Sequence, residues 1–257
     1  MIIGISYVGS EYEKKARYIA GTRNFKFSNK IDNSIKYWLV VASNGISLVD
    51  TSGRLGPLRV DFLSGSSLYQ IHRRKKQRDY LAQAIGKHPS GTLIFDATAG
   101  WASDSVPLLA RGFKIQLAEQ DLVVATLLED AVMRAYQDGN YGEFFRNNLL
   151  LEIGDARQIL ENIQTKPEVI YLDPMYPKEQ KARLPLKAMQ YLREIVGRSG
   201  SAQDMLTAAL RNVRKRVVVK RSINADFLEA MKPAQQVIGK TTRYDVYWSY
   251  KNTPNYW

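Results

Sequence analysis

Beyond Ser90 the sequence alternates short, almost entirely apolar runs with longer amphipathic segments. Strands that helices cover on both faces read as continuous apolar runs, so this alternation predicts a parallel sheet between layers of helices. The predicted strands are Thr92–Ala97, Lys114–Glu119, Leu149–Ile153, Val169–Leu172 and Arg216–Lys220. The predicted helices are Ser103–Ala110, Leu122–Asp138, Asp155–Ile163, Lys187–Val196 and Gln203–Val213.

The last two predicted strands are Gln235–Lys240 and Asp245–Tyr250. The few residues between them cannot form a crossover helix, so the two strands should be antiparallel neighbours. A doubly wound, mostly parallel α/β sheet with a terminal antiparallel hairpin resembles the sheet of S-adenosylmethionine-dependent methyltransferases. It differs from a dinucleotide dehydrogenase domain, and the sequence also lacks the G-x-G-x-x-G fingerprint of that class.

The first sixty residues follow a different pattern, which predicts a small N-terminal α/β extension over residues 1–60 before a Rossmann-like domain over residues 61–257. Ser43-Asn44-Gly45 reads as a hairpin turn between two of the predicted strands. The extension's predicted elements are strands at Ile2–Val8, Tyr37–Ala42 and Ile46–Asp50 and a helix at Glu11–Ala20. A further helix is predicted from Leu68 to Ile85, where Gly86 can end it.

Composition excludes several kinds of chemistry. The 257 residues contain no cysteine and two histidines, so disulfides, thiol nucleophiles and Cys- or His-rich metal sites are not expected. No apolar run approaches the roughly 20 residues of a membrane-spanning helix, and no signal peptide is recognisable, so we expect a cytoplasmic protein without a membrane partner. The net charge of +12 favours a polyanionic partner.

The positive charge is concentrated in two runs. Arg73–Lys87 holds six basic residues and one acidic residue, and Lys178–Arg221 holds twelve against three. Solvated helix faces are the simpler explanation of such runs, but a phosphate-binding rim also explains why the second run follows a candidate catalytic motif. The predicted RNA-binding residues are Arg73, Arg74, Lys75, Lys178, Lys181, Arg183, Lys220 and Arg221.

Acidic residues lie at or just after the carboxyl ends of three of the predicted strands, where ligands bind in open α/β sheets. Asp96 begins a loop in which Gly100 permits close approach to a ligand, although Ser103 could also simply cap the next helix. Glu119 stands where a carboxylate can hold a ribose diol, or in a solvated turn. Asp155 is a candidate cofactor contact and equally a helix N-cap, and the two roles are compatible.

The most specific motif is Asp173-Pro174-Met175-Tyr176-Pro177, after the fourth predicted strand. It resembles the Asp/Asn-Pro-Pro-Tyr/Phe motif of methyltransferases that act on exocyclic amines of bases. A carboxylate or a proline-bounded carbonyl can accept the amine hydrogens and orient the nitrogen, while Tyr176 can stack on the base. A rigid loop with a packing tyrosine is the alternative. The predicted catalytic residues are Asp173, Pro174 and Tyr176.

Taken together, these residues resemble the bacterial 16S ribosomal RNA (guanine-N2)-methyltransferases of the RsmJ type. The resemblance is carried by segments spread along most of the chain: Val60-Asp61-Phe62 with Gly65, His72–Lys75, Asp96–Gly100 with Asp104, Tyr171–Pro177 with Gln180-Lys181, and Arg216–Arg221. Where the family commonly has Gly-Leu-Gly-Arg-Asp, this chain has Gly100-Trp101-Ala102-Ser103-Asp104. Gln120 replaces a common arginine.

The resemblance implies S-adenosylmethionine as methyl donor, with S-adenosylhomocysteine as product, and 16S ribosomal RNA of the small subunit as acceptor. It also implies cofactor contacts at Ser103, Asp104, Glu119, Gln120, Asp155, Ala156 and Asp173, which join Asp96 and Gly100. No metal is implied, and the oligomeric state stays open. The rival hypothesis is a catalytically inactive RNA-binding or ribosome-assembly factor that keeps the fold, as the altered glycine loop would allow.

Overall fold

The computed structural model describes residues 1–65, 67–68, 79–174, 187–196 and 203–250. Its strands are β1 (Ile3–Tyr7), β2 (Lys26–Phe27), β3 (Tyr37–Ala42), β4 (Gly45–Asp50), β5 (Leu93–Asp96), β6 (Lys114–Glu119), β7 (Leu149–Ile153), β8 (Val169–Leu172), β9 (Arg216–Ser222), β10 (Gln235–Ile238) and β11 (Thr242–Trp248). Its α-helices are α1 (Glu13–Arg23), α2 (Tyr80–Ile85), α3 (Ser105–Leu109), α4 (Leu122–Gln137), α5 (Gly142–Asn148), α6 (Ala156–Asn162), α7 (Lys187–Ile195) and α8 (Gln203–Asn212).

The central sheet has seven strands in the order β10-β11-β9-β8-β5-β6-β7. Strands β5 to β9 pair in parallel, and β11 pairs antiparallel with both β9 and β10. The predicted fold class and the terminal hairpin are therefore confirmed. Strand order reverses at β5, which places the carboxyl ends of β5, β6 and β8 around the crevice where open α/β sheets bind ligands.

The N-terminal residues form a separate four-stranded sheet in the order β2-β1-β3-β4. The predicted hairpin is present, since β3 and β4 pair antiparallel up to Ala42 and Gly45. Gly4 of β1 lies opposite the buried Trp38 of β3, where any Cβ atom would fall within 2.6 Å of the indole ring. A glycine at this position therefore lets the indole pack flat on the neighbouring strand.

The two faces of the central sheet bury different cores. On one face, side chains of the N-terminal sheet pack with those of α2, α3 and α4 in one continuous apolar cluster. On the other face, α6 and α8 cover a second cluster that includes Phe95 and Ile170. The division at residue 60 stays a prediction, but the first core runs without a break from the N-terminal sheet into the central one.

Ion pairs and hydrogen bonds to the buried Asp130 fix the N-terminal residues to α4. Asp130 of α4 accepts a hydrogen bond from the Ile46 backbone N–H at 2.9 Å and from the Lys15 ammonium at 3.0 Å. Arg134, one turn along, bonds Asp130 at 2.9 Å and also the Val60 carbonyl oxygen. Because these bonds join residues far apart in sequence, they fix the orientation of the extension on the domain.

Glu194 of α7 makes a second connection between the two sheets. Its carboxylate receives hydrogen bonds from Lys36, Tyr37 and Arg54. These donors lower the pKa of Glu194 to about 2, with Lys36 having the largest effect. One turn earlier on the same helix, the Tyr191 hydroxyl donates to the backbone carbonyl oxygens of residues 55 and 56, at 3.2 and 3.1 Å.

Differences from the predicted elements are concentrated at their ends. Helix α3 begins at Ser105 instead of Ser103, and α5 was not predicted, because its sequence is short and carries little helical periodicity. Strand β11 begins at Thr242, three residues before its predicted start. Of the helix predicted from Leu68 to Ile85, the structure describes Leu68 and Tyr80–Ile85 as helical, with Gly86 at the C-cap as expected. The prediction of one continuous helix is wrong, because Asp79 has an extended backbone and is the N-cap of α2. Residues 69–78 of that prediction lie outside the described part of the chain.

Candidate active site

The loop after β5 is organised by the carboxylate of Asp96. This buried side chain accepts a hydrogen bond from the Thr98 N–H at 3.1 Å and from the Ser105 hydroxyl at 2.6 Å. Burial raises the pKa of Asp96 to about 7 against these two bonds. Both of its oxygens thus shape the loop.

Two residues of this loop have a positive φ angle. Gly100 has φ 51°, which glycine adopts at little cost, and Ala102 has φ 55°, which strains an alanine. Ala102 occupies the position at which the RsmJ-type pattern has its second glycine. The loop therefore adopts a left-handed conformation at residue 102 without a glycine there, at the cost of a strained and buried alanine.

Glu119, at the carboxyl end of β6, lies beside the loop. Its carboxylate accepts the Gly100 N–H at 2.9 Å and the Asp121 N–H at 2.8 Å. Burial raises the pKa of Glu119 to about 7, although the two backbone donors act in the opposite direction. A buried carboxylate that is this poorly compensated is a strong acceptor for further hydrogen-bond donors, such as the hydroxyls of a ribose.

A four-residue cluster, which we call the Lys220 cluster, joins the ends of β8, β9 and α3. It consists of Asp104, Tyr171, Asp173 and Lys220. The Lys220 ammonium lies 2.7 Å from Asp104 Oδ2 and 2.9 Å from Asp173 Oδ2, and the Tyr171 hydroxyl donates to Asp104 Oδ2 at 2.6 Å. The backbone N–H of Asp173 donates to the Thr98 hydroxyl at 2.6 Å, which connects the cluster to the β5 loop.

Burial and charge act in opposite directions within this cluster. Burial raises the pKa of Asp173, Lys220 lowers it, and Asp104 raises it again, so that the net shift is upward. The two carboxylates raise the pKa of Lys220 above its ordinary value despite burial, so its ammonium stays charged. Burial and the nearby Asp104 raise the pKa of Tyr244, on β11, to about 12.

A groove of about 470 Å³ opens beside α6, on the far side of Glu119 from the cluster. It is lined in part by Ile153, Gly154 and Asp155. The predicted N-cap is confirmed, since Asp155 accepts the Arg157 N–H at 2.9 Å, and its carboxylate also pairs with the Arg157 guanidinium. This pairing lowers the pKa of Asp155 and keeps it ionised.

The remaining predicted cofactor positions lie around these groups. Ser103 and Gln120 are exposed, and Ala156 is buried in the first turn of α6. Ser103 does not cap α3, whose N-cap residue is Asp104. Because the Asp104 carboxylate binds Tyr171 and Lys220, it makes no side-chain capping bond. The prediction that Ser103 could cap the helix is therefore wrong.

The described contacts do not favour an RNA-binding role for the two basic residues at the end of β9. Lys220 is held between two carboxylates, and Arg221 is buried and donates to the Asp226 carbonyl oxygen. Pairing offsets the charge of Lys220, whose side chain is 28% exposed, and burial keeps Arg221 from the surface. The other predicted RNA-binding residues, together with Tyr176, lie outside the described residues: Arg73, Arg74, Lys75, Lys178, Lys181 and Arg183.

Sequence reasoning missed the roles of Lys220, Tyr171 and Thr98 in the site. A signal for Lys220 was present, because it continues the alternating face that Val218 contributes to the core. A lysine in that register, at the carboxyl end of a central strand, needs carboxylate partners. For Thr98, whose contact depends on the conformation of the loop, no comparable signal exists.

Comparison with known proteins identifies the family of this chain. Residues 22–249 match a family model described as a putative SAM-dependent methyltransferase. A ribosomal RNA small subunit methyltransferase J from Thioalkalivibrio sulfidiphilus is 35% identical over 249 residues, 95% of this chain and 97% of the relative. The chain belongs to the ribosomal RNA small subunit methyltransferase J family. The relative with the same name from Shewanella amazonensis is 39% identical over 198 residues, 76% of this chain and 79% of its own length.

A solved structure extends the agreement to the whole fold. A SAM-dependent methyltransferase from Neisseria gonorrhoeae superposes with a TM-score of 0.73 at 29% identity, and the match covers 97% of both chains. The cofactor of this family member is S-adenosylmethionine. The residues present fit it: Glu119 is a buried acceptor suited to a ribose diol, and the anionic pair Asp104 and Asp173 suits a cationic ligand.

The described residues hold neither a membrane span nor a metal centre. No helix in that part of the chain is both long and apolar enough to cross a membrane. The same residues contain no group of three or more His, Asp or Glu side chains placed to hold a metal ion.

Proposed function

We propose that this protein methylates the exocyclic N2 of a guanine in 16S ribosomal RNA, acting in the cytoplasm on the small ribosomal subunit or a precursor. Membership of the methyltransferase J family supports the RNA substrate. The observation that carries the proposal is the position of Asp173-Pro174 beside the loop that Glu119 holds, where an amine acceptor and a methyl donor can meet.

We assign a role to each of the predicted cofactor-site residues named below. Glu119 accepts hydrogen bonds from the ribose of the cofactor, and the β5 loop at Gly100 lets the chain approach it closely. Asp155 borders the groove that we assign to the adenine, and Ala156 follows it in the first turn of α6. Asp104 faces the cationic end of the cofactor. Bound S-adenosylmethionine supplies an electrophilic methyl group on its sulfonium.

Asp173 is the residue we assign to the amine. A guanine amine is a poor nucleophile because its lone pair is conjugated with the ring. A carboxylate oxygen of Asp173 that accepts an N2 hydrogen orients the nitrogen and is an acceptor for the proton released on methylation. Its raised pKa makes it a better base than an exposed aspartate. The Pro174 carbonyl oxygen is a second acceptor in the same loop, and positioning supplies much of the rate.

RNA binding depends on residues outside the described part of the chain. We propose that Tyr176 stacks on the target base and that the basic residues from Arg73 to Lys75, and from Lys178 to Arg183, bind phosphates. Replacement of Arg73, Arg74 and Lys75 by alanine then reduces the log–log salt slope of RNA binding by about 0.7 for each single-strand phosphate that is no longer neutralised.

The experiment compares methylated nucleotides of 16S ribosomal RNA from cells with and without the protein, and adds Asp173→Ala. Loss of one N2-methylguanine, restored by the wild type and not by the variant, supports the proposal. The inactive assembly factor predicts no change in the methylation map and no detectable binding of S-adenosylhomocysteine at millimolar ligand. If S-adenosylhomocysteine binds normally but no nucleotide is methylated, the fold assignment stands and the proposed RNA substrate is refuted.

A further inference from the structure

Lys220 lies on the core-facing side of the sheet, where a lysine without partners would be unfavourable. Side chains alternate along a strand, so Lys220 shares its face with Val218, as Asp173 shares one with Tyr171. Val218 and Tyr171 are buried in the core that the N-terminal sheet covers. Lys220 pairs in register with Tyr244 of β11, which packs against the same core. The lysine therefore leaves the apolar core directly into the crevice.

We propose that Lys220 is a positioning residue for methyl transfer, whose ammonium orients the Asp173 carboxylate and keeps it ionised for the target amine. Lys220 lies 2.9 Å from Asp173 Oδ2, and within the described residues no contact uses Oδ1 of Asp173. Fixing one oxygen in this way directs the other toward the crevice. The second bond, 2.7 Å long to Asp104, prevents the ammonium from following Asp173 if the carboxylate turns.

The charges around Asp173 explain why a cation is needed there. Asp104 faces it from the start of α3, and this carboxylate disfavours the ionised form of Asp173. Asp96, at the end of β5, interacts with Asp173 as well, and this interaction raises the pKa of Asp96. The hydroxyls of Tyr171, on its own strand, and of Tyr244, on β11, stay protonated at neutral pH because burial and these carboxylates raise the pKa of both. Within the described residues, Lys220 supplies the one positive charge in contact with Asp173.

Two simpler roles compete with this one. Lys220 could be an ion pair that merely fastens β8, β9 and α3 together, in which case its loss lowers stability alone. It could also be the phosphate contact that the basic sequence around it first indicates. Each role predicts a different response to Lys220→Met, a substitution that keeps most of the apolar stem and removes the charge.

The first measurement needs no activity. In the cofactor-free protein labelled with ¹³C at aspartate carboxyl groups, the Asp173 signal is identified by its absence in Asp173→Asn and followed against pH. An opposite charge at this distance lowers a carboxyl pKa by roughly 1–3 units. We expect Lys220→Met to move the Asp173 midpoint up by at least one pH unit, and Lys220→Arg to keep it near the wild-type value. Lys215→Met, which removes a half-exposed lysine at the opposite end of β9, is the matched control.

The second measurement rests on the proposed function, because it follows single-turnover methylation of 16S ribosomal RNA at saturating cofactor. Lys220→Met should be at least tenfold slower at neutral pH and should recover as the pH rises past the new Asp173 midpoint, whereas Lys220→Arg should stay close to wild type. If wild type fails to methylate the RNA, the proposed function fails while the carboxyl titration still decides the role of Lys220.

An unchanged Asp173 midpoint in Lys220→Met refutes the proposal. If the rate then falls only as the folded fraction falls, Lys220 is a structural ion pair. If the salt slope of RNA binding drops by about 0.7 with the midpoint unchanged, Lys220 is a phosphate contact.

Discussion

Binding of the cofactor should depend on pH through Glu119. In the cofactor-free fold its pKa stands at about 7 against an ordinary 4.5, because burial of its side chain outweighs the backbone donors. Ionising this carboxylate in the fold therefore costs about 3 kcal/mol more than in the unfolded chain. Between pH 4.5 and 7 the folded protein holds a proton that the unfolded chain has lost, so this group makes stability fall as pH rises.

Ribose hydroxyls that donate to Glu119 favour its ionised form, so cofactor binding below pH 7 must expel the proton. If the bound pKa returns to about 4.5, affinity for S-adenosylhomocysteine should fall about 20-fold, or about 2 kcal/mol, from pH 7.5 to 5.5. Glu119→Gln should bind about 1.5–3 kcal/mol more weakly at pH 7.5 and should lose most of the pH dependence. Isothermal titration calorimetry at both pH values, in two buffers of different ionisation enthalpy, measures affinity and proton release together.

The control is Glu143→Gln, which neutralises an exposed carboxylate on α5. Asp96 also has a pKa of about 7, but its two oxygens are occupied by the loop, and it is present in every variant. A pH slope that survives unchanged in folded Glu119→Gln would assign the titration to Asp96 instead. An affinity of the wild type that does not vary between the two pH values would refute the ribose contact altogether.

Three further substitutions test structural features that surround the site. Ala102→Gly should raise the free energy of unfolding by about 0.5–1 kcal/mol in urea titrations, because relief of the strained φ angle exceeds the entropic cost of glycine; a loss of stability would contradict the strain. Glu194→Ala should lower the free energy of unfolding by about 1–3 kcal/mol at pH 7. This difference from wild type should shrink as pH falls from 4.5 toward 2, because Glu194 of the wild type then becomes protonated and loses its ion pairs. Gly4→Ala should cost about 1–3 kcal/mol by pushing Trp38 out of place, with a change in indole fluorescence that Gly21→Ala, in open space on α1, should not show.

Much of the sheet could be predicted from the sequence because its central strands are covered on both faces. Their apolar runs have few alternatives, so β6 and β8 match the predicted bounds residue for residue. The bounds of β7 match as well, although it is an edge strand with two exposed residues. The acidic residues at the strand ends were found for the same reason, since a strand end fixes the edge of the sheet on which its next residue lies. Helix ends were less predictable, because the carboxylate of Asp104 prefers Lys220 and Tyr171 to the capping bond.

The partners of charged residues were the part that sequence could not supply. Lys220 stands in a run of basic residues, and charge counted along the chain made it resemble its exposed neighbours. The fold brings Asp104 and Asp173 to it from 116 and 47 residues away. Likewise, nothing in the local sequence of Glu194 indicates that three donors from the N-terminal residues converge on it. Long-range ion pairs of this kind can be predicted only after the topology of the fold is known.

The N-terminal extension contributes to the site without contributing a cofactor residue. It is bonded to α4, which starts directly after the turn that Glu119 and Asp121 form, and to α7 through Glu194. On α7, the Leu192 side chain lies where it would be 3.6 Å from a Cβ atom at Gly100, so this helix packs against the β5 loop. The extension thus contacts α4 and α7, which lie on either side of the β5 loop that is hydrogen-bonded to Glu119. These contacts support the loop in which Ala102 adopts its strained φ angle.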